Sequence, residues 1–341
     1  MKLIKTEEAV GHVLCHDLTQ IIRDQYKDAR FRKGHVVAEA DIPVLLSMGK
    51  EHLYVWEMTP GMLHENDAAE RLYVLCVGDH MDRSEVKEGK IELKAACDGL
   101  FRVNSEKLIA VNSIEDLMIA TRKGGTAVRR GDKLAGMRVI PLIIPEEKLQ
   151  AAEAAAGDAP LLELTPWVRK TAAIVATGSE VKKGLIQDTF TPVVKDKLAA
   201  YDIETISVAY SGDGVENVAN AVTEARKTGA DVILCTGGMS VDPDDNTPGG
   251  IKASGATIVT YGAPVLPGAM FLLGYYDDGT PVMGLPGCVM YAKATVFDLI
   301  LPRVAAGVEV TRAEIKALGN GGLCLGCGDC RYPVCPFGKG F

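Results

Sequence analysis

The stretch Val232-Ile233-Leu234-Cys235-Thr236-Gly237-Gly238-Met239-Ser240 decides the fold. An apolar run with no polar alternation breaks straight into a glycine pair, which is the pattern of a strand buried on both faces that ends in a tight loop. Two further runs do the same. Ala172 to Ala176 breaks into Thr177-Gly178-Ser179-Glu180, and Pro281 to Met283 breaks into Gly284-Leu285-Pro286-Gly287. A fourth, Ile206 to Ala209, leads to Ser211-Gly212-Asp213-Gly214. Segments of helical period separate these runs, so they read as strands of an open parallel sheet with crossover helices. In such a sheet the ligand crevice lies outside the carboxyl ends of the strands, which predicts that all these loops open onto one edge.

The residue types in the loops point to anion and metal chemistry. Gly237 and Gly238 let the backbone approach a ligand closely and turn its N–H groups into an anion nest. Asp242, Asp244 and Asp245 follow within the same loop. Carboxylates repel a bare phosphate, so a divalent cation is the natural bridge. Mg²⁺ suits that place because it takes oxygen ligands and is held by one or two carboxylates plus phosphate oxygens. Glu180 and Asp213 offer further acids from neighbouring strand ends. For any single loop, an acidic turn with a helix cap explains the residues equally well.

At these loops the sequence resembles the molybdopterin-binding fold shared by molybdopterin molybdotransferases and adenylyltransferases. The resemblance covers residues 170 to about 305. It rests on Thr177-Gly178-Ser179-Glu180, on Gly237-Gly238-Met239-Ser240 with Asp245, on Asp245-Asn246-Thr247-Pro248, and on Gly284-Leu285-Pro286-Gly287, in that order and spacing. It implies that Glu180, Asp213 and Asp245 are the metal and catalytic acids, while Asp242 joins Asp245 as a Mg²⁺ ligand on the loop chemistry above. The pterin and its phosphate would lie against Thr177, Gly178, Ser179, Gly237, Gly238, Ser240, Thr247, Pro248, Pro286, Gly287 and Cys288. The ligand would be molybdopterin or its adenylylated form, and the family also implies a homo-oligomer. The chain departs from the family's pattern at several places. Pro267-Gly268-Ala269-Met270 stands where the transferases carry a lysine after Pro-Gly, Asp242 replaces a glycine, Cys288 replaces an asparagine, and the Met-Asp-Gly-Tyr-Ala motif of the transferases is missing.

The expected fold class is α/β: a three-layer, mostly parallel sheet domain over residues 166–308, preceded by a smaller mixed or β-rich N-terminal region and followed by a Cys-rich tail. The preceding region divides into a small α+β part at 1–60 and a β-rich or mixed part with linker at 61–165. Short strands are expected at Gly11 to Leu14 and Phe31 to Val37, then a capped helix from Glu39 ending at Gly49. The Ala-rich stretch from Gln150 to Ala159 reads as the tail of a helix or a hinge. All six histidines lie in this first half, without a ligand spacing, and read as surface or structural residues. A formal charge of -8 argues against nucleic acid as a partner, since phosphate backbones select clustered Lys and Arg. No apolar run approaches the roughly 18–20 residues of a membrane span. The start of the chain lacks an apolar signal core. A cytoplasmic protein is expected.

Of nine cysteines, four crowd the C-terminus as Cys324, Cys327, Cys330 and Cys335, the last followed by Pro336. Four thiolates so close together call for a soft cation. The spacing resembles a ferredoxin-type iron–sulfur run with one extra residue in its last gap. A Cys₄ zinc site is the rival, usually built from two separated knuckles. The glycines at 319, 321 and 322 predict a loosely attached module. Two functional classes follow. One is an enzyme of molybdenum cofactor biosynthesis that inserts molybdate or modifies the late cofactor. The other is a noncatalytic carrier or sensor whose Cys cluster is redox-active or docks to a molybdoenzyme.

Overall fold

The computed structural model describes residues 2–22, 26–55, 60–243 and 245–340. It divides into two compact units, one of residues 1–97, 102–124 and 130–164, the other of residues 98–101, 125–129 and 165–341.

The first unit is rich in antiparallel strands. Its largest sheet has the order Met81–Arg83, Lys90–Ala95, Lys133–Val139, Leu117–Thr121. Helix Glu65–Cys76 buries Ala68, Ala69, Leu72 and Cys76. Its first turn is capped by His64, whose Nδ1 accepts from Asn66 N–H at 3.1 Å. Helix Glu146–Ala156 ends at Gly157, so the Ala-rich stretch is the end of a helix. Residues 11–14 and 34–37, expected within strands, pair antiparallel over a short stretch: Gly11 N–H donates to Val37 O, Val37 N–H to His12 O, Leu14 N–H to His35 O and Gly34 N–H to Leu14 O, around the Val13–Val36 bridge. Phe31 belongs to a separate hairpin that pairs Leu18–Ile22 with Tyr26–Phe31. Gly34 sits in the left-handed region, and His35 N–H donates to Arg32 O, so residues 32–35 close as a turn. The helix expected from Glu39 is a 3₁₀ turn, Glu39–Asp41, leading into Ile42–Ser47.

The second unit carries the predicted α/β fold. Its sheet is built from β1 (Thr171–Thr177), β2 (Glu204–Ser211), β3 (Val232–Thr236), β4 (Thr257–Tyr261), β5 (Leu272–Tyr275) and β6 (Pro281–Leu285) in the order β2-β1-β3-β6-β5-β4. The first four strands of that order are mutually parallel; β5 runs antiparallel to both of its neighbours, β6 and β4. Helices α1 (Phe190–Ala199), α2 (Val215–Lys227), α3 (Thr247–Ala253) and α4 (Val296–Ala305) cover it. Successive strand residues point to opposite faces. Ala172, Ile174, Val232, Leu234 and Met283 therefore pack with Val194 and Leu198 of α1 and Phe297 and Leu301 of α4. Ala173, Val175, Ile233, Cys235 and Val282 pack with Val218 and Val222 of α2 and Ile251 of α3. Two apolar layers around one sheet explain why the strand sequences show no polar alternation.

The C-terminal segment is part of this unit, which corrects the expectation of a loosely hung module. Leu323 bridges Leu266; Leu266 N–H donates to Gly322 O and Cys324 N–H to Leu266 O, both at 2.8 Å. Phe337 is only 3% exposed and joins the core cluster of α4. A Cβ on Gly338 would lie 2.3 Å from Leu299 Cδ2, so the chain passes flush against the helix. Tyr332 Oη donates to Asp298 O at 2.8 Å, and burial pushes its pKa far up, so it stays a proton donor. The glycines before the cysteines serve close packing: at Gly322 an added Cβ would meet two backbone carbonyls at 2.5 Å.

Candidate functional site at the carboxyl edge of the sheet

The register aligns the strand ends. Thr177 stands beside Ser211, Ala176 beside Thr236, and Thr236 beside Leu285, so the four glycine-bearing loops leave the sheet at one level. The crevice floor is a pair of buried hydroxyls. Thr177 Oγ1 donates to Thr236 O at 2.9 Å and also lies 2.9 Å from Thr247 Oγ1. Since the Thr177 proton is committed to the carbonyl, the Thr247 hydroxyl is the donor in the second bond. Both side chains are nearly inaccessible and tie the start of α3 to β1 and β3.

Gly237 and Gly238, at φ 85° and 56°, cross directly above this pair. A Cβ on Gly237 would lie 2.4 Å from Thr177 O, and one on Gly238 2.7 Å from Thr247 Oγ1. Only glycine fits either position, by space and by backbone sign. The loop then closes on Asp245: Ser240 N–H donates to its Oδ2 at 2.7 Å, and its own N–H donates to Asp242 O at 2.9 Å. Asp245 is thus at once a loop clasp and a crevice acid. It also raises the pKa of Tyr261, after burial, and the Tyr261 hydroxyl donates to Met239 O at 3.0 Å.

A second clasp joins the β1 and β2 loops. Ser179 N–H donates to Asp213 Oδ2 at 3.2 Å, and Asp213 N–H donates back to Ser179 Oγ at 3.3 Å. Glu180 is exposed and folds back so that its carboxyl carbon would lie 3.5 Å from a Cβ on Gly178. Ser240, Asp242 and Gly287 are exposed, while Pro248 and Cys288 are half-buried and Pro286 is buried. Burial pushes the Cys288 thiol up. A Cβ on Gly287 would meet nothing within 4 Å, so the crevice is open there.

Sequence reasoning did not identify the mutual pairing of Thr177 with Thr247 or the Ser179–Asp213 clasp. Hydroxyls and acids at strand ends were the visible signal, but their partners depend on register. Asp244, expected among the loop acids, lies outside the described residues. Among the described residues no group of three or more His, Cys, Asp or Glu side chains is gathered to hold a metal ion as it stands. One oxygen each of Asp213 and Asp245 accepts from a backbone N–H. Among the same residues no helix is long and apolar enough to cross a membrane.

Residues 173–306 match a family described as a probable molybdopterin binding domain, and residues 3–57 match a domain of unknown function. The chain is 42% identical over 76 residues to a CinA-like protein from Desulfosudis oleivorans, covering 22% of this chain and 18% of that one. It is 31% identical over 84 residues to a probable FAD synthase from Caenorhabditis briggsae, covering 25% and 16%. The match thus spans about a fifth of the length of the curated relatives. Among solved structures, the tungsten cofactor synthesizing protein MoaB from Pyrococcus furiosus aligns at 22% identity over 40% of this chain and 92% of its own, with a TM-score of 0.33. The Mog protein of molybdopterin biosynthesis from Mycobacterium ulcerans aligns at 21% identity over 39% and 91%, with a TM-score of 0.33.

Proposed function

We propose that this chain, whose residues 173–306 match the probable molybdopterin binding domain family, binds molybdopterin or its adenylylated form at the carboxyl edge of the sheet and acts in molybdenum cofactor biosynthesis. The observation that carries this reading is the alignment of four glycine-bearing strand ends on one level, with the two glycines at 237 and 238 admitting no side chain. Such a loop leaves room for a phosphate against backbone N–H groups. Ser240 and Gly287 would border the pterin. Glu180, Asp213 and Asp245 are the acids available for group transfer, and Asp242 with Asp245 would hold Mg²⁺ beside the phosphate. Bound there, the cation would neutralise phosphate charge that the acids otherwise repel.

A second reading, a noncatalytic carrier or sensor, draws on Pro267-Gly268-Ala269-Met270. No lysine occurs in that loop to hold molybdate oxygens as a point charge. Both readings include a soft metal centre, iron–sulfur or zinc, at the tail thiols, a self-associating chain, and a molybdoenzyme as eventual recipient. Anaerobic purification followed by mass spectrometry of the copurified small molecules tests the proposal. A pterin bearing a dithiolene and phosphate supports it, and a nucleotide or flavin without pterin overturns it.

A further inference from the structure

The four tail cysteines, 324, 327, 330 and 335, line a single cavity of about 290 Å³. Its other walls come from Pro267, from residues 292–294 and from the aromatic rings of Tyr332 and Phe337. We infer that this cavity is the seat of a ferredoxin-like [4Fe–4S] cluster held by the four thiolates, rather than of a single zinc ion. The inference rests on the reading of the tail as a thiolate metal site and decides between its two forms.

The size of the space is the first argument. A zinc ion at about 2.3 Å from four sulfurs draws them to within about 3.8 Å of one another, leaving no cavity between them. A volume of about 290 Å³ far exceeds the roughly 10–15 Å³ that a single water-sized occupant needs. All four tail cysteines line this one space. The second argument is spacing. Three cysteines at intervals of three residues place their sulfurs along one short, tightly turning segment, and a fourth followed by proline closes the set from the far side, as in cluster-binding runs. Two separated knuckles, the usual zinc arrangement, are not present in this motif.

The surroundings suit a buried-backed, solvent-edged cluster. Cys324 and Cys335 are half-buried against the α4 core, while Cys327 and Cys330 are exposed. Phe337 and Tyr332 pack edge to face at 6.2 Å behind the cavity. Lys293 and Arg331 line it and would offset the net negative charge of four thiolates around a cluster, with Asp329 adding one acid within the motif. The cavity also touches Pro267, in the loop where the sequence departs from the transferase lysine, so the cluster would brace that loop directly.

The test is anaerobic reconstitution of the full chain with ferric iron, sulfide and dithiothreitol, the dithiol reducing part of the iron to the mixed ferric–ferrous level, in parallel with zinc alone. The expected product is brown, carries about four iron and four sulfide per chain, and gives an electron paramagnetic resonance signal on reduction with dithionite. Cys327→Ser and Cys330→Ser, both at exposed positions, should each lose most of the bound iron while tryptophan emission stays native. Tight binding of one zinc per chain, with iron and sulfide unable to enter, keeps a thiolate metal site but overturns the cluster. Failure to take up either metal overturns the site altogether. Iron and sulfide retained in full by both serine variants would overturn its location.

Discussion

Replacing Phe337 with alanine should destabilise the whole α/β unit, although only four residues follow it in the sequence. The ring is 3% exposed, belongs to the cluster of Leu299 and Phe297, and meets Tyr332 edge to face. Truncating a buried phenylalanine costs about 3–5 kcal/mol, from lost transfer energy and the cavity left behind. In a unit of this size each 1 kcal/mol shifts the melting temperature by about 2–4 °C, so a fall of about 6–20 °C is expected. Emission from Trp167 reports that transition, since the indole is 7% exposed in the same cluster and stacks edge to face on Tyr201 at 5.1 Å. The chain has two tryptophans, and Trp56→Phe leaves Trp167 as the sole signal. A mobile tail would lose about 0.5 kcal/mol or less, as surface substitutions do. A melting shift below about 2 °C would therefore refute the docking of the tail on α4.

Thr247→Val keeps the shape of the crevice floor but leaves Thr177 Oγ1 without its donor. A loss of about 1 kcal/mol is expected, with faster hydrogen exchange confined to residues 236–247. In metal-free protein, Cys327 and Cys330 should be alkylated first and Cys288 should lag at neutral pH. Burial disfavours the Cys288 thiolate and raises its pKa, so its labelling accelerates only as pH climbs above the ordinary thiol range. Cys235, fully buried and pushed up to about 12, should label only on unfolding; peptide mass spectrometry reads the order. Asp245→Asn retains an oxygen for Ser240 N–H, so the loop should survive while the negative charge is lost. Binding of molybdopterin in the presence of Mg²⁺ should weaken by about tenfold, or about 1.4 kcal/mol, and become indifferent to chelator; unchanged chelator sensitivity would remove Asp245 from the metal bridge.

The α/β sheet was legible because its strands are buried on both faces: Val232 to Cys235 and Ala172 to Ala176 leave no polar position to confuse with another element. The glycine pair at 237–238 was equally readable, since two consecutive residues with positive φ above a strand end accept little else. What stayed hidden depends on long-range pairing. The sequence cannot say that the Thr247 hydroxyl spends its proton on Thr177, seventy residues away, because that follows from register. In the first unit, residues 31–37 read as one strand, yet a turn at residues 32–35 divides it, leaving Phe31 to the hairpin and residues 34–37 to pair with residues 11–14. The tail misled for a physical reason too. Glycine runs signal freedom in isolation, but Gly322 and Gly338 are required by close backbone and side-chain approach, and Phe337, Tyr332 and the Leu323–Leu266 pairing anchor the segment.

The central claim is that the crevice over Gly237 and Gly238 takes a molybdopterin-type ligand, and Gly287 offers the most direct test. A side chain there projects into open space, so Gly287→Phe should fill the crevice mouth while leaving the fold intact. Anaerobic fluorescence titration of molybdopterin into the intact chain should saturate at about one ligand per chain, and the same titration into Gly287→Phe should show binding weakened by at least about a hundredfold, or about 2.7 kcal/mol. Equal affinity in a variant with native melting behaviour, or no saturable binding to the unmodified chain, would contradict the account.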